Sequence, residues 1–363
     1  MKKTVLAFAV AAAMGVPAVA AADVTLYGRF NVSLDNIDNG ANKGTQLANN
    51  SSRIGVRGSE DLGGGLQGIF GAEFGLWNGG AQQTTFGGSW NARNTFVGVS
   101  GDFGEVRVGR HDTPYKLVTT RLNFFADMIG DMYNLMGTAG TSSNATSAFY
   151  SRADNTIMYT TPNFEGFRAM ASYTTDRRND RADLATAGDE DGYSLAATYT
   201  NGPIYVAAAY ERWNQWTSAP LSGAGEVAHG DAENDAKAFK IAGTYTIDDL
   251  TLAAQYERVD TGAATNSKRN GYHLGARYNL GQAYLMGSFT SVGDYGTDDG
   301  ATMYALGAGY NLSRRTGVYA NYAVVDNDTG ASYGFTGTGK GEGIGGTAGQ
   351  DTKGFSIGMW HNF

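Results

Sequence analysis

The sequence contains no cysteine, so no disulfide staples it and no thiol is available as nucleophile or metal ligand. Proline is scarce, with five residues in 363. That excludes collagen-like repeats and disfavours proline-rich disorder. Long apolar runs are missing after Val16, where a membrane-crossing helix would need about 20 residues. The four histidines, His111, His229, His273 and His361, show no i, i+4 pair or other metal-ligand spacing. No nucleophile motif of the G-x-S-x-G kind and no phosphate-cradling glycine loop occurs. The residues therefore imply no catalytic, cofactor or metal site. A basic excess is absent too: the net charge is −8, and about −10 without Lys2 and Lys3, which disfavours a nucleic-acid partner.

What is present begins with a leader. Lys2 and Lys3 precede an apolar run from Val5 to Val16, then Pro17 and small residues to Ala22. This pattern predicts a signal peptide over 1–21, cleaved after Ala20 or Ala21, and a single domain over 22–363. Glycine (53) and tyrosine (21) are abundant. Large antiparallel barrels use glycine for bends and close backbone approach, and tyrosine for interfacial girdles.

Period-2 alternation runs through the mature chain. Val24, Leu26, Gly28, Phe30, Val32 and Leu34 alternate with Thr25, Tyr27, Arg29, Asn31 and Ser33. The same split recurs at 167–174, 193–199, 204–211, 239–245, 252–257, 272–278 and 302–310. Each is a strand with one apolar and one polar face. Phe355, Ile357, Met359, His361 and Phe363 share the apolar parity of a last strand whose final ring suits a membrane–water interface. Seven short connections (60–65, 100–104, 162–166, 200–203, 246–250, 279–282 and 311–315) alternate with eight long ones (35–51, 78–92, 111–154, 175–190, 212–236, 260–270, 291–300 and 326–353), which gives sixteen strands. Short turns at one end and long loops at the other are the plan of an outer-membrane transmembrane β-barrel, with short turns in the periplasm and long loops outside. Sixteen strands enclose an aqueous channel.

Three stretches carry a family resemblance. They are Asp23–Gly28, the hairpin Arg93–Arg110, and Arg152–Tyr159 followed by Thr161–Phe167. With the terminal Phe363, they resemble the general trimeric porins of Gram-negative outer membranes, of the neisserial and β-proteobacterial type. The resemblance implies a homotrimer in the outer membrane, in contact with lipid and lipopolysaccharide. It implies a water-filled channel for passive diffusion of small hydrophilic solutes and ions, not an enzyme. It also implies that the third loop, about 111–154, folds into the lumen. The apolar and aromatic residues of that loop, such as Leu122, Phe124, Phe125 and Ile129, fit a packed position. A substrate-selective channel is an alternative reading, and a barrel adhesin or enzyme a more distant one.

Parity places Arg29, Arg57, Arg107, Arg168, Lys240 and Arg277 on the polar inner face as a basic wall. Asp127 and Asp131, four apart in the third loop, would share a face if that piece is helical. Opposed charges across a narrow, low-dielectric passage would set up a transverse field, with a lean toward anions.

Overall fold

The computed structural model describes residues 23–76, 91–138, 149–175, 191–214, 235–263, 265–336 and 343–363. The expected signal peptide lies outside them. The strands are β1 (Asp23–Asp38), β2 (Lys43–Asn49), β3 (Arg53–Gly63), β4 (Leu66–Gly75), β5 (Asn91–Gly101), β6 (Gly104–Asp112), β7 (Arg152–Thr160), β8 (Phe167–Thr174) and β9 (Gly192–Asn201). They continue with β10 (Ile204–Trp213), β11 (Ala236–Ile247), β12 (Leu250–Asp260), β13 (Lys268–Leu280), β14 (Ala283–Val292), β15 (Ala301–Asn311), β16 (Thr316–Asn327) and β17 (Thr352–Asn362).

These 17 segments form one antiparallel sheet, closed where β1 pairs with β17. The long β1 pairs on its other side with β2 (Val32↔Asn49) and then with β3 (Arg29↔Arg53). Thus β2 and β3 are one strand interrupted at 50–52, and the barrel has sixteen strands. The first long connection differs from the sequence expectation of 35–51. It is mostly strand, with a turn confined to residues 39–42. Its polar, asparagine-rich composition reads as loop because its inner side meets polar partners rather than a core.

The barrel is apolar outside and polar on much of its inside. Leu26 and Leu34 are 60% and 54% exposed, while the intervening Asn31 and Ser33 are buried. A band of exposed Leu, Ile, Val and Phe is stable only against hydrocarbon. Closure gives every strand a partner on both sides, so no backbone edge faces lipid. Two aromatic rows bound the band. Near the short turns stand Tyr199, Tyr245, Tyr278 and Tyr310, with Tyr199 packed on Phe167 at 4.5 Å between ring centroids. Near the long loops, Tyr256 packs on Tyr272 and Phe289 on Tyr304, each at 5.4 Å. At the short-turn end Phe363 exchanges backbone hydrogen bonds with Gly28, at 3.0 and 3.1 Å, and its ring lies 5.6 Å from that of Phe30. A side chain at position 28 would overlap the Phe363 ring.

The third loop leaves β6 and folds into the lumen. It opens with a short helix, α1 (Pro114–Leu117), and two 3-10 turns, Thr120–Leu122 and Met132–Asn134. Leu122, Phe125, Ile129, Met132, Leu135 and Met136 are almost fully buried. They share one cluster with Ala207, Ala209, Ala238, Ala305, Ala323 and Val325 of β10, β11, β15 and β16. Small inward residues on these strands make room for the loop. The inner wall behind the loop thus mixes small apolar residues with buried polar ones such as Lys240 and Glu257, and the open passage is displaced toward β1–β8.

Candidate functional site: the charged constriction

A cavity of about 320 Å³ lies between the loop and the early strands, lined by five basic residues (Arg29, Arg53, Arg93, Lys116 and Arg152) and four acidic ones (Glu73, Asp112, Asp127 and Asp131). The wall supplies Arg29, Arg53 and Glu73 from β1, β3 and β4. A bulge between β4 and β5, at Ala72/Phe74, sets Arg93 and Asn94 together opposite Glu73. It turns both side chains inward, where strict alternation would turn Arg93 to lipid. Arg93 Nε meets Glu73 Oε1 at 2.5 Å, and its Nη1 donates to Ser51 Oγ at 2.9 Å. Arg53 bridges Glu73 at 3.7 Å and Asp127, across the passage, at 3.6 Å. Lys116 and Arg152 both hold Asp112 Oδ1, at 2.8 and 3.0 Å.

The interruption between β2 and β3 shapes this site. Ser51 adopts φ +60°, unusual for a residue with a side chain. Asn50 donates to Ser33 Oγ at 2.7 Å and Tyr319 Oη at 2.9 Å, and Ser52 Oγ accepts from the Asn31 amide at 2.9 Å. Those bonds fix the break so that Ser51 presents its hydroxyl to Arg93.

The two expected loop acids are not on a helix. Asp127 has φ +65°, and Asp131 caps the following 3-10 turn. Asp131 accepts from Asn123 Nδ2 (2.7 Å), the Tyr133 amide (2.8 Å) and the Asp127 amide (2.9 Å). Burial outweighs these donors and raises its carboxyl to about 6. Asp127 is the loop carboxylate that meets the basic wall.

The expected basic wall is not one surface. All six side chains point inward, but only Arg29 lines the constriction. Arg107 and Arg168 line a second cavity, of about 710 Å³, near the short turns. Arg57 lies toward the same end, over the Tyr27 ring at 5.2 Å. Arg277 lies over Tyr284 at 4.0 Å and donates to Asn279 at 3.2 Å. Lys240 is wholly buried behind the loop. Its Nζ donates to Thr119 Oγ1 at 2.9 Å and sits 3.8 and 4.1 Å from the ring centroids of Tyr115 and Tyr150. It therefore holds the loop and does not touch the passage. Parity selects the face of a strand and says nothing of height along the barrel.

Arg53, Arg93, Lys116, Arg152, Glu73 and Asp112 escape the sequence reading. Arg53 shares the parity of Arg57 and could have been found. Arg93 is hidden by the bulge, and Lys116 by its place in a loop.

A family model described as Gram-negative porin matches residues 9–330. This chain belongs to the Gram-negative porins. Over 374 residues, and the whole of both chains, it is 32% identical to outer membrane porin protein 32 of Delftia acidovorans. It is 26% identical to the major outer membrane protein P.IB of Neisseria gonorrhoeae over 60% of this chain and 59% of that one. Among solved structures, the anion-selective porin from Comamonas acidovorans superposes with a TM-score of 0.77 at 26% identity, covering 94% of this chain and 100% of that one.

The porin resides in the outer membrane and forms a channel for passive diffusion. Its short turns are periplasmic and its long loops extracellular. The loop narrows the lumen, and charges of both signs face each other across the gap.

Proposed function

We propose that this porin is a general diffusion channel with a weak preference for anions. Cations outnumber carboxylates at the constriction, five against four, and the observation that carries the reading is this excess in a passage bounded by buried protein. Fields in such a passage are stronger than in bulk water and less screened. Small hydrophilic solutes and ions pass down their gradients, with no turnover and no cofactor. Family membership supports a homotrimer, embedded in outer-membrane lipid and lipopolysaccharide, and an export signal over 1–21. The anion-selective character of the Comamonas porin is consistent with the charge balance here.

Planar-bilayer reversal potentials in a potassium chloride gradient test the reading. The expected sign is that of chloride permeating faster than potassium, with closures in groups of three. Neutralising Arg29 and Arg53, both of which line the constriction, should shift the potential toward cations. A cation-preferring wild-type channel would overturn the charge preference without touching the porin assignment.

A further inference from the structure

The cavity near the periplasmic turns has a different charge balance from the constriction. Its 710 Å³ are lined by Arg107, Arg121 and Arg168, with Glu105 the one carboxylate among the described lining residues. Glu105 is already engaged, since it forms an ion pair with Arg107. Arg121 and Arg168 have no ion pair among the described residues and are exposed to the cavity. At the constriction, by contrast, four carboxylates nearly balance five cations, and Arg53, Arg93, Lys116 and Arg152 are all paired.

Two of the three guanidiniums lie against aromatic rings. Arg121, carried by the third loop, lies over the Tyr205 ring at 4.1 Å, and Arg107 over the Phe96 ring at 4.2 Å. Tyr205 is itself fixed, donating to the Val118 carbonyl at 2.6 Å. A guanidinium over a ring has that side already stripped of water, and Arg121 carries no ion pair among the described residues. It is thus arranged to donate to an oxyanion at little further entropic or desolvation cost.

We propose that this periplasmic chamber, and not the constriction, where four of the five cations are paired with carboxylates, is the channel's anion-holding site, taking small polyvalent oxyanions such as phosphate. This deepens the anion preference proposed above and rests on it. An anion arriving from the periplasm reaches the chamber directly. One arriving from outside must first cross the constriction. Occupancy, and therefore interference with chloride current, depends on the side of addition.

The test uses the trimeric porin inserted in one orientation in a planar bilayer, with inorganic phosphate as probe. Phosphate on the periplasmic side should lower chloride conductance at lower concentration than phosphate on the extracellular side. Arg121→Gln with Arg168→Gln should remove that difference, whereas Arg121→Lys with Arg168→Lys should retain it. The double glutamine variant should also lose about fourfold in anion-to-cation permeability per charge removed, since a unit charge about 10 Å away in water is worth about twofold for the anion and about twofold in the opposite sense for the cation. Heat-modifiable migration of the folded trimer confirms that each variant has assembled. Equal action from both sides, or an undiminished effect in the double glutamine variant, overturns the assignment. A wild-type channel without anion preference that still shows one-sided phosphate action would overturn the selectivity reading and leave the chamber in place.

Discussion

Lys240 and Glu257 stand opposite each other on β11 and β12, and the third loop is tied to both. Glu257 accepts hydrogen bonds from Tyr115 Oη (2.9 Å), Tyr150 Oη (2.8 Å) and the Gly137 amide (2.7 Å). Lys240 sits against the same two rings. The loop is thereby clamped at its start and its return by one pair of wall residues. Arg269 of β13 adds a further tie, donating to the carbonyls of Leu135 (2.8 Å) and Thr138 (3.0 Å), and to the Tyr333 hydroxyl of the last long loop. The wall thus fixes the channel's narrowing from behind.

Replacing Glu257 by Leu should release the loop. Three buried donors lose their acceptor. A buried donor left unsatisfied typically costs about 1–3 kcal/mol. We expect increased proteolytic cleavage within residues 113–151 and noisier single-channel current, with the barrel intact by circular dichroism. Unchanged noise and unchanged cleavage would remove Glu257 from this role.

Gly137 should not tolerate alanine. Its φ is +70°, and an added Cβ would fall inside the Tyr150 ring. Overpacking and backbone strain each cost about 1–3 kcal/mol. Gly137→Ala is expected to lower the thermal midpoint of the detergent-solubilised protein and to change conductance. Wild-type values for both would contradict the packing described.

The Asp131 carboxyl, raised by burial from 3.8 to about 6, gives the docked loop a pH dependence. Its proton is held more tightly in the docked loop than in a released one. The stability it contributes is fully present below about pH 4 and is lost as pH rises through about 6. Loop protection from protease should therefore fall across that window, and Asp131→Asn should flatten the change. A fall of equal size in the asparagine variant would assign the titration elsewhere.

Phe363→Ala should weaken barrel closure. The ring covers Gly28 and packs on Phe30, and it is half-buried. A loss of roughly 2 kcal/mol is expected, about half that of a fully buried phenylalanine. The measurement is refolding yield and urea midpoint in lipid vesicles. Wild-type refolding would show that the terminal ring does not help to seal β1 against β17.

The alternating pattern gave each strand one apolar and one polar face, with Leu26, Phe30 and Leu34 on one parity and Asn31 and Ser33 on the other. The export leader, the terminal Phe363 and the alternation of short turns with long loops decided that the apolar face meets lipid and set the number of crossings. Tertiary structure decided what lies at each height inside the barrel. Residues 35–51 read as loop from their polarity and are mostly strand, because the partners of their inner side come from distant segments. Arg29 and Arg107 have equivalent inward parity but occupy different chambers, and Lys240 on the same face is sealed behind the loop. The bulge beside Glu73 turns Arg93 inward against its strand's alternation, and the break at Ser51 gives Arg93 a partner. Alternation is local, a consequence of backbone geometry two residues at a time. Which charges meet depends on shear around the barrel and on where one long loop comes to rest, and both are set by contacts far apart in the chain.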